Sequence, residues 1–480
     1  MVEYVFESKR LSGHMPIVVL SDIKSVRQNI KDLLGKEDAD IALKYYRQTE
    51  RKIGDVISFD TLKHKIMIML VGGKQKGFEV TGGKIYRLIK KETEACIYLP
   101  KSMKKEAAYE IAFGIELASY SFDKYMTKRE EKDFAKLERV FLKVKGLTLN
   151  AKEYVPYAAL ANGVRYARDL TNEPANNMTP MMMADDIKRL GYLGLDVDIL
   201  DEKRMKNCGF NLALSVAQGS ENKPRVAVIK WLGNKNKEDF DLGLVGKGVT
   251  FDSGGISLKP RSGMGDMKQD MAGAAAVVGA LKVVALQKLP VNVIGVVGLV
   301  ENMPSGSATR PGDVVASMSG QTVEILDTDA EGRLVLADLL WYAQTEYGVK
   351  KVVDIATLTG AISVALGSEM AGVMGNSQNL IDKINKAGEL SGEPVWQLPI
   401  NDAYNKLMDS DIADMKNVSE TRNAGSITAA CFLQRFIQKG TLWAHLDIAG
   451  MDKETKGKPL TPKGATGFGV RLFVKLIQNL

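Results

Sequence analysis

Lys247 stands in LGLVGKGV (242–249), a run apolar enough to form a strand buried on both faces. An ammonium there needs a carboxylate partner or a reason to be neutral, and a metal ion is such a reason because it accepts the amine's lone pair. A snorkelling or salt-bridged lysine is the plainer alternative. A phosphate loop is excluded, since Gly248 follows Lys247 where Ser or Thr is required. Asp252 comes next, at the expected end of the strand, and Gly254-Gly255 lets the backbone turn tightly against whatever Asp252 binds. Asp270 precedes an Ala- and Val-rich helix and would, alone, be an ordinary first-turn acid. Asp327, Asp329 and Glu331 crowd one short segment before another helix. In extended backbone Asp329 and Glu331 face the same side, although Arg333 could also make this a salt-bridged helix start. Together Asp252, Asp270, Asp329 and Glu331 form an oxygen-rich set that could hold two divalent ions about 3.5–4 Å apart. Such a set admits exchange among zinc, manganese, magnesium and cobalt.

These residues need a sheet to converge. Residues 225–231, 242–249, 291–300, 322–326, 351–356 and 442–448 are the strand candidates of the second part of the chain, with helices at 271–289, 332–346 and 426–438. This alternation predicts a mostly parallel sheet covered on both faces, with functional loops at the carboxyl ends of its strands. Ahead of it, residues 16–20 (PIVVL) and 65–71 (KIMIMLV) read as strands, and 109–120 and 131–144 as helices. A helix over 155–170 ends at Pro174. The expectation is an α/β protein of two domains, each a mostly parallel or mixed sheet flanked by helices. The N-terminal α/β domain spans 1–150, with an assembly or accessory role. The catalytic domain spans 151–480, includes the connecting helix and carries the dinuclear site.

Composition agrees with an ordinary globular protein: 480 residues, 45% hydrophobic and 26% charged. Cys96, Cys208 and Cys431 lack the spacing of a disulfide framework or thiolate zinc site, and His14, His64 and His445 form no local pair. Residues 1–10 lack a signal-peptide core and 291–300, the longest apolar stretch, is too short for a bilayer, so a cytoplasmic protein without a membrane partner is expected. Residues 1–150 hold 29 Lys+Arg against 21 Asp+Glu, a net +8, and the remainder is −1. A solvated basic face is the plain interpretation; attraction to nucleic acid is the functional one.

The runs GKGVTFDSGGISLKP (246–260), MKQDMAGAAA (267–276) and TDAEGRL (328–334) resemble the signatures of the leucyl aminopeptidase (cytosol aminopeptidase) family. RDLTNEPAN (168–176), ATLTGA (356–361), WAHLDIAG (443–450) and GATGFGVR (464–471) add to the resemblance, which covers roughly 160–480. It implies a two-metal exopeptidase that releases N-terminal leucine or other apolar residues from peptides with a free N-terminus, by attack of a metal-bridging hydroxide. By the same resemblance Lys247, Asp252, Asp270 and Glu331 hold one Zn²⁺ or Mn²⁺ (Mg²⁺ or Co²⁺ being alternatives), and Asp252, Asp329 and Glu331 hold the more exchangeable one. Lys259 would stabilise the oxyanion, and Arg333 would hold a bicarbonate that acts as general base. Met267, Thr357, Leu358, Gly360 and Ala449 would bind substrate. The resemblance also implies a homohexamer and, as an additional role of the basic N-terminal domain, DNA binding. The family usually has Asn where this chain has Asp327, a change expected to alter metal preference or pH optimum rather than the reaction.

Overall fold

A computed structural model describes residues 2–6, 15–22, 24–34, 36–47, 52–61, 65–72, 77–421 and 423–480. His14 and His64 lie outside them. The chain forms two compact units, Met1–Ala161 with Lys456–Pro462, and Asn162–Thr455 with Lys463–Leu480. The helix Ala151–Asn172 spans the junction, the first unit running to Ala161.

In the first unit, β1 (Glu3–Val5), β2 (Ile17–Ser21), β3 (Val56–Asp60), β4 (Lys65–Leu70), β5 (Glu94–Leu99) and β6 (Arg139–Val144) form one sheet in the order β1-β6-β5-β2-β4-β3. Only β3 runs antiparallel. The helix Lys105–Ala118 forms where helical periodicity predicts it. The helix expected over 131–144 does not: a short 3-10 turn at Glu131–Asp133 precedes β6. Val140, Leu142 and Val144 of β6 are buried while the residues between them are not, the period of two of a strand, although Phe134, Leu137, Phe141 and Val144 also recur at helical spacing.

The second unit adds β7 (Asp196–Leu200), β8 (Arg225–Leu232), β9 (Leu242–Asp252) and β10 (Asn292–Asn302), then β11 (Asp313–Ala316), β12 (Thr322–Ile325), β13 (Lys351–Ala356) and β14 (Ala371–Gly375), and lastly β15 (Val395–Gln397), β16 (Met415–Lys416) and β17 (Leu442–Asp447). Its main sheet has the order β15-β14-β17-β13-β9-β10-β8-β7. The central strands β17, β13, β9 and β10 are parallel, so their carboxyl ends share one edge, whereas β8 and β7 continue the sheet antiparallel. β12, expected in this sheet, instead pairs with β11 and β16 in a separate three-stranded sheet. Its residues alternate between buried and half-buried, which fits a strand covered on one face only.

Helices cover both faces of the main sheet. Val245 and Val249 share a core with Leu334, Val335 and Leu339 of the helix Glu331–Tyr347. The alternate residues Gly246 and Gly248 meet the helix Ala272–Gln287, and a Cβ on Gly246 would stand 2.7 Å from Ala274 Cα. Successive residues of a strand point to opposite faces, so the two helices sandwich β9, and Lys247 lies on the side of Glu331. The stretch Met264–Gln287 has the length and hydropathy of a membrane span, but 89% of its apolar window is buried in the core. Deep in the sheet, β13 and β17 pair Asp354 with His445 in register. Asp354 Oδ1 lies 2.5 Å from His445 Nδ1, and its Oδ2 accepts from Trp443 Nε1 at 2.7 Å.

Candidate metal centre and substrate cavity

β9 delivers Lys247 from its middle and Asp252 from its end, and β10 ends in register beside it at Asn302. Asn302 Nδ2 donates to Asp252 Oδ1 at 2.8 Å and to Thr328 O at 3.0 Å, so one amide orients both the Asp252 carboxylate and the acidic segment after β12. Gly254 and Gly255 have φ of +89° and +68°, conformations that let the chain fold back under Asp252, and Gly254 N donates to Asp252 Oδ1 at 2.9 Å. Sequence reasoning did not single out Asn302, although a polar residue ending a buried strand was the same signal that marked Asp252.

Oxygens of Asp252, Asp329 and Glu331 lie within 4.8 Å of one another. Two lysines bridge the carboxylates. Lys247 Nζ is 2.8 Å from both Asp270 Oδ1 and Glu331 Oε1 and donates to Thr357 O at 2.9 Å. Lys259 Nζ is 2.8 Å from Asp252 Oδ2 and 2.5 Å from Asp329 Oδ1. Burial alone would lower the Lys247 pKa, but the fields of Asp270, Glu331 and Asp252 overcome it and raise it above the ordinary value. Among these acids the ammonium is the favoured form of Lys247, as in the plainer salt-bridged alternative. To act as the neutral ligand expected from the sequence, Lys247 must give up a stabilised proton.

The carboxylates are strained in the opposite sense. Burial, with Asp252 and Glu331 adding like charge, pushes Asp329 up to about 7. Burial likewise raises Asp270 well above the carboxylate range, ahead of the lowering by Lys247, and raises Glu331. Among the described residues, Asp270 Oδ2 and Glu331 Oε2 are buried with no hydrogen-bond partner. Orphaned anionic oxygens in so dense a cluster are what a divalent cation would satisfy, and the oxygen-rich donor set fits such an ion. Asp327 takes another part: its Oδ1 accepts from Asp329 N at 2.9 Å, a cap that the Asn usual in the family can also make.

The cage opens into a cavity of about 250 Å³ lined by Met267, Thr357, Leu358, Gly360 and Ala449 as well as the two lysines and four acids. Asp447, at the end of β17, shapes the wall: Oδ1 accepts from Leu358 N (3.1 Å) and Ala449 N (3.3 Å), and Oδ2 from Thr359 Oγ1 (2.6 Å). Arg333 does not line the cavity. It is buried, its Nη1 donates to Asn417 O at 2.6 Å, its Nε has no partner among the described residues, and burial lowers its pKa to about 10.

Carboxylates from the end of β9, from the segment after β12 and from the approach to the helix Ala272–Gln287 converge beside a partly apolar cavity, an arrangement suited to divalent cations and to hydrolysis. Residues 165–474 match the catalytic domain of the cytosol aminopeptidase family, and the chain belongs to that family. It is a hydrolase, an aminopeptidase. The chain is 51% identical over 371 residues to the probable cytosol aminopeptidase of Rickettsia africae, covering 77% of this chain and 74% of the relative. With that of Rickettsia bellii it shares 47% over 439 residues, covering 89% and 87%. Among solved structures, it is similar to the bottromycin maturation enzyme BotP in complex with Mn, with a TM-score of 0.85 and 32% identity over 96% of this chain and 98% of that one. A mutant of tomato leucine aminopeptidase matches with a TM-score of 0.86 and 28% identity over 100% and 97%.

Proposed function

We propose that this aminopeptidase releases N-terminal residues, leucine and other apolar ones among them, from peptides with a free N-terminus, using two divalent cations. Lys247, Asp252, Asp270 and Glu331 would hold one ion and Asp252, Asp329 and Glu331 the other. The observation that carries this reading is the buried acidic cage with orphaned oxygens on Asp270 and Glu331, open to the cavity. When bound, such ions activate a water and polarise the scissile carbonyl.

The chain's own groups supply the rest. Lys259 reaches the cage from a partly exposed position and donates to the developing oxyanion. Met267, Leu358 and Ala449 offer apolar contact to the first side chain, with Thr357 and Gly360 beside them. By the family resemblance Arg333 would hold a bicarbonate serving as general base; its side chain stands outside the cavity lining, and its buried Nε has no partner among the described residues. The family's name and the manganese in the BotP structure support a metal enzyme of the cytoplasm, with zinc or manganese as the leading ions.

Hydrolysis of leucyl-7-amido-4-methylcoumarin, its loss with a chelator and its return with Mn²⁺ or Zn²⁺ test the proposal. Turnover undiminished in the chelated, metal-free protein would overturn it. No observation favours the DNA-binding alternative: Lys65, Lys105, Arg139 and Lys145 of the basic segment are paired with Glu92, Glu153, Glu94 and Asp32.

A further inference from the structure

Six acids and three lysines line the cavity. Five of the acids face a lysine: Asp270 and Glu331 face Lys247, Asp252 and Asp329 face Lys259, and Asp266 meets Lys453 at 2.6 Å. Asp452 is the sixth, and among the described residues it has no salt bridge. Its backbone is fixed, because Asp452 O accepts from Thr466 N at 3.0 Å, and Met451 N closes the preceding turn on Ile448 O at 2.8 Å. This turn also carries Ala449, and the Asp266–Lys453 bridge ties it to the segment bearing Met267. Asp452 thus lines one cavity with Met267 and Ala449, which contact the first side chain in the reading above.

We infer that Asp452 forms an ion pair with the cationic head of an N-terminal lysine or arginine, so that peptides beginning with a basic residue are a substrate class of this enzyme. The inference rests on the aminopeptidase reading and names a specificity within it. The aliphatic stem of such a side chain suits Met267, Leu358 and Ala449, while its head requires an anion beyond them. Leucine offers that anion no charge to pair with, and a glutamyl side chain would bring a like charge to it. Burial holds the Asp452 carboxyl up to about 6, with Lys453 acting the other way, so a cation brought into the cavity relieves a desolvated charge.

The test uses the full-length, metal-loaded protein and the Lys, Arg, Leu and Glu amidomethylcoumarins. Wild type should cleave the lysyl and arginyl substrates with kcat/KM at or above the leucyl value, and the glutamyl one least. Asp452→Asn and Asp452→Met should each lower the Lys:Leu and Arg:Leu ratios by about tenfold or more, chiefly through KM, as expected for a lost charge-assisted contact. Should a variant fail to fold by circular dichroism, wild type still decides: L-lysine should inhibit leucyl turnover more strongly than the uncharged L-norleucine. Ratios unmoved by either folded variant, or norleucine inhibiting as well as lysine, would overturn the inference while leaving the aminopeptidase reading intact. Turnover of none of the four substrates would instead sink that reading itself.

Discussion

Lys247 meets opposite demands from its two kinds of partner. Between Asp270 and Glu331 the ammonium is the stabilised form, yet a metal ligand must present a free lone pair. Ion binding should therefore release protons, and apparent metal affinity should climb with pH; titration calorimetry in buffers of different ionisation enthalpy measures both, and a pH-independent affinity with no proton release would contradict the assignment. Lys247→Ala should weaken metal binding. Lys259→Ala should keep the metal and lower kcat by about 10²–10³, the usual loss for one oxyanion donor. Metal content and kinetics of the two variants distinguish these roles, and equal, negligible effects would refute both. The sequence made these residues readable because a lysine inside a buried strand, and acids after strands, cost free energy unless something binds them. Asp452 carried no such mark. It lies in an aperiodic turn, and only the fold shows that it lines the same cavity as Met267, distant in the chain.

Among the elements, the helix Glu331–Tyr347 both aims a ligand and closes the core. Gly332 in its first turn makes room for Lys247: a Cβ there would stand 2.6 Å from Lys247 Cε and 2.7 Å from its Nζ. Because the clash meets the end of a flexible side chain, Gly332→Ala should displace the lysine and lower metal affinity with only a small loss of melting temperature. Asp338 of this helix anchors two other segments, accepting from Met318 N at 2.9 Å and Ala213 N at 3.1 Å, and burial raises it from 3.8 to about 7. A folded-state pKa above the unfolded one gives stability that is complete below the unfolded value and lost as pH rises through the folded one. Urea midpoints should accordingly show an Asp338 contribution that falls between about pH 4 and about pH 7, absent from Asp338→Asn. Strands with continuous apolar runs, β9 and β10 above all, were readable from sequence. β6 was mistaken for a helix and β12 for a main-sheet strand because short apolar alternations do not reveal which neighbours pair with them.

For the whole molecule, binding of ions to the folded state alone should stabilise it by about 2.7 kcal/mol per site at a hundredfold excess over Kd, seen as a melting temperature that rises with metal concentration. The resemblance further leads us to expect a homohexamer, and sedimentation at the mass of six chains is the corresponding measurement. The catalytic unit was readable as an alternation of buried strands and helices, whereas the antiparallel flank of β8 and β7 was not, because strand direction leaves no trace in hydrophobic pattern. Residues 1–150 offered strands without chemistry, so their sheet could be expected and their role could not. The proposed reaction requires two cations in the cage. An anomalous-difference map from crystals grown with excess manganese measures this most directly: the expected result is two peaks, one among Lys247, Asp252, Asp270 and Glu331 and the other among Asp252, Asp329 and Glu331. A map with neither peak, in which Lys247 and Lys259 still bridge the carboxylates at saturating metal, would contradict it.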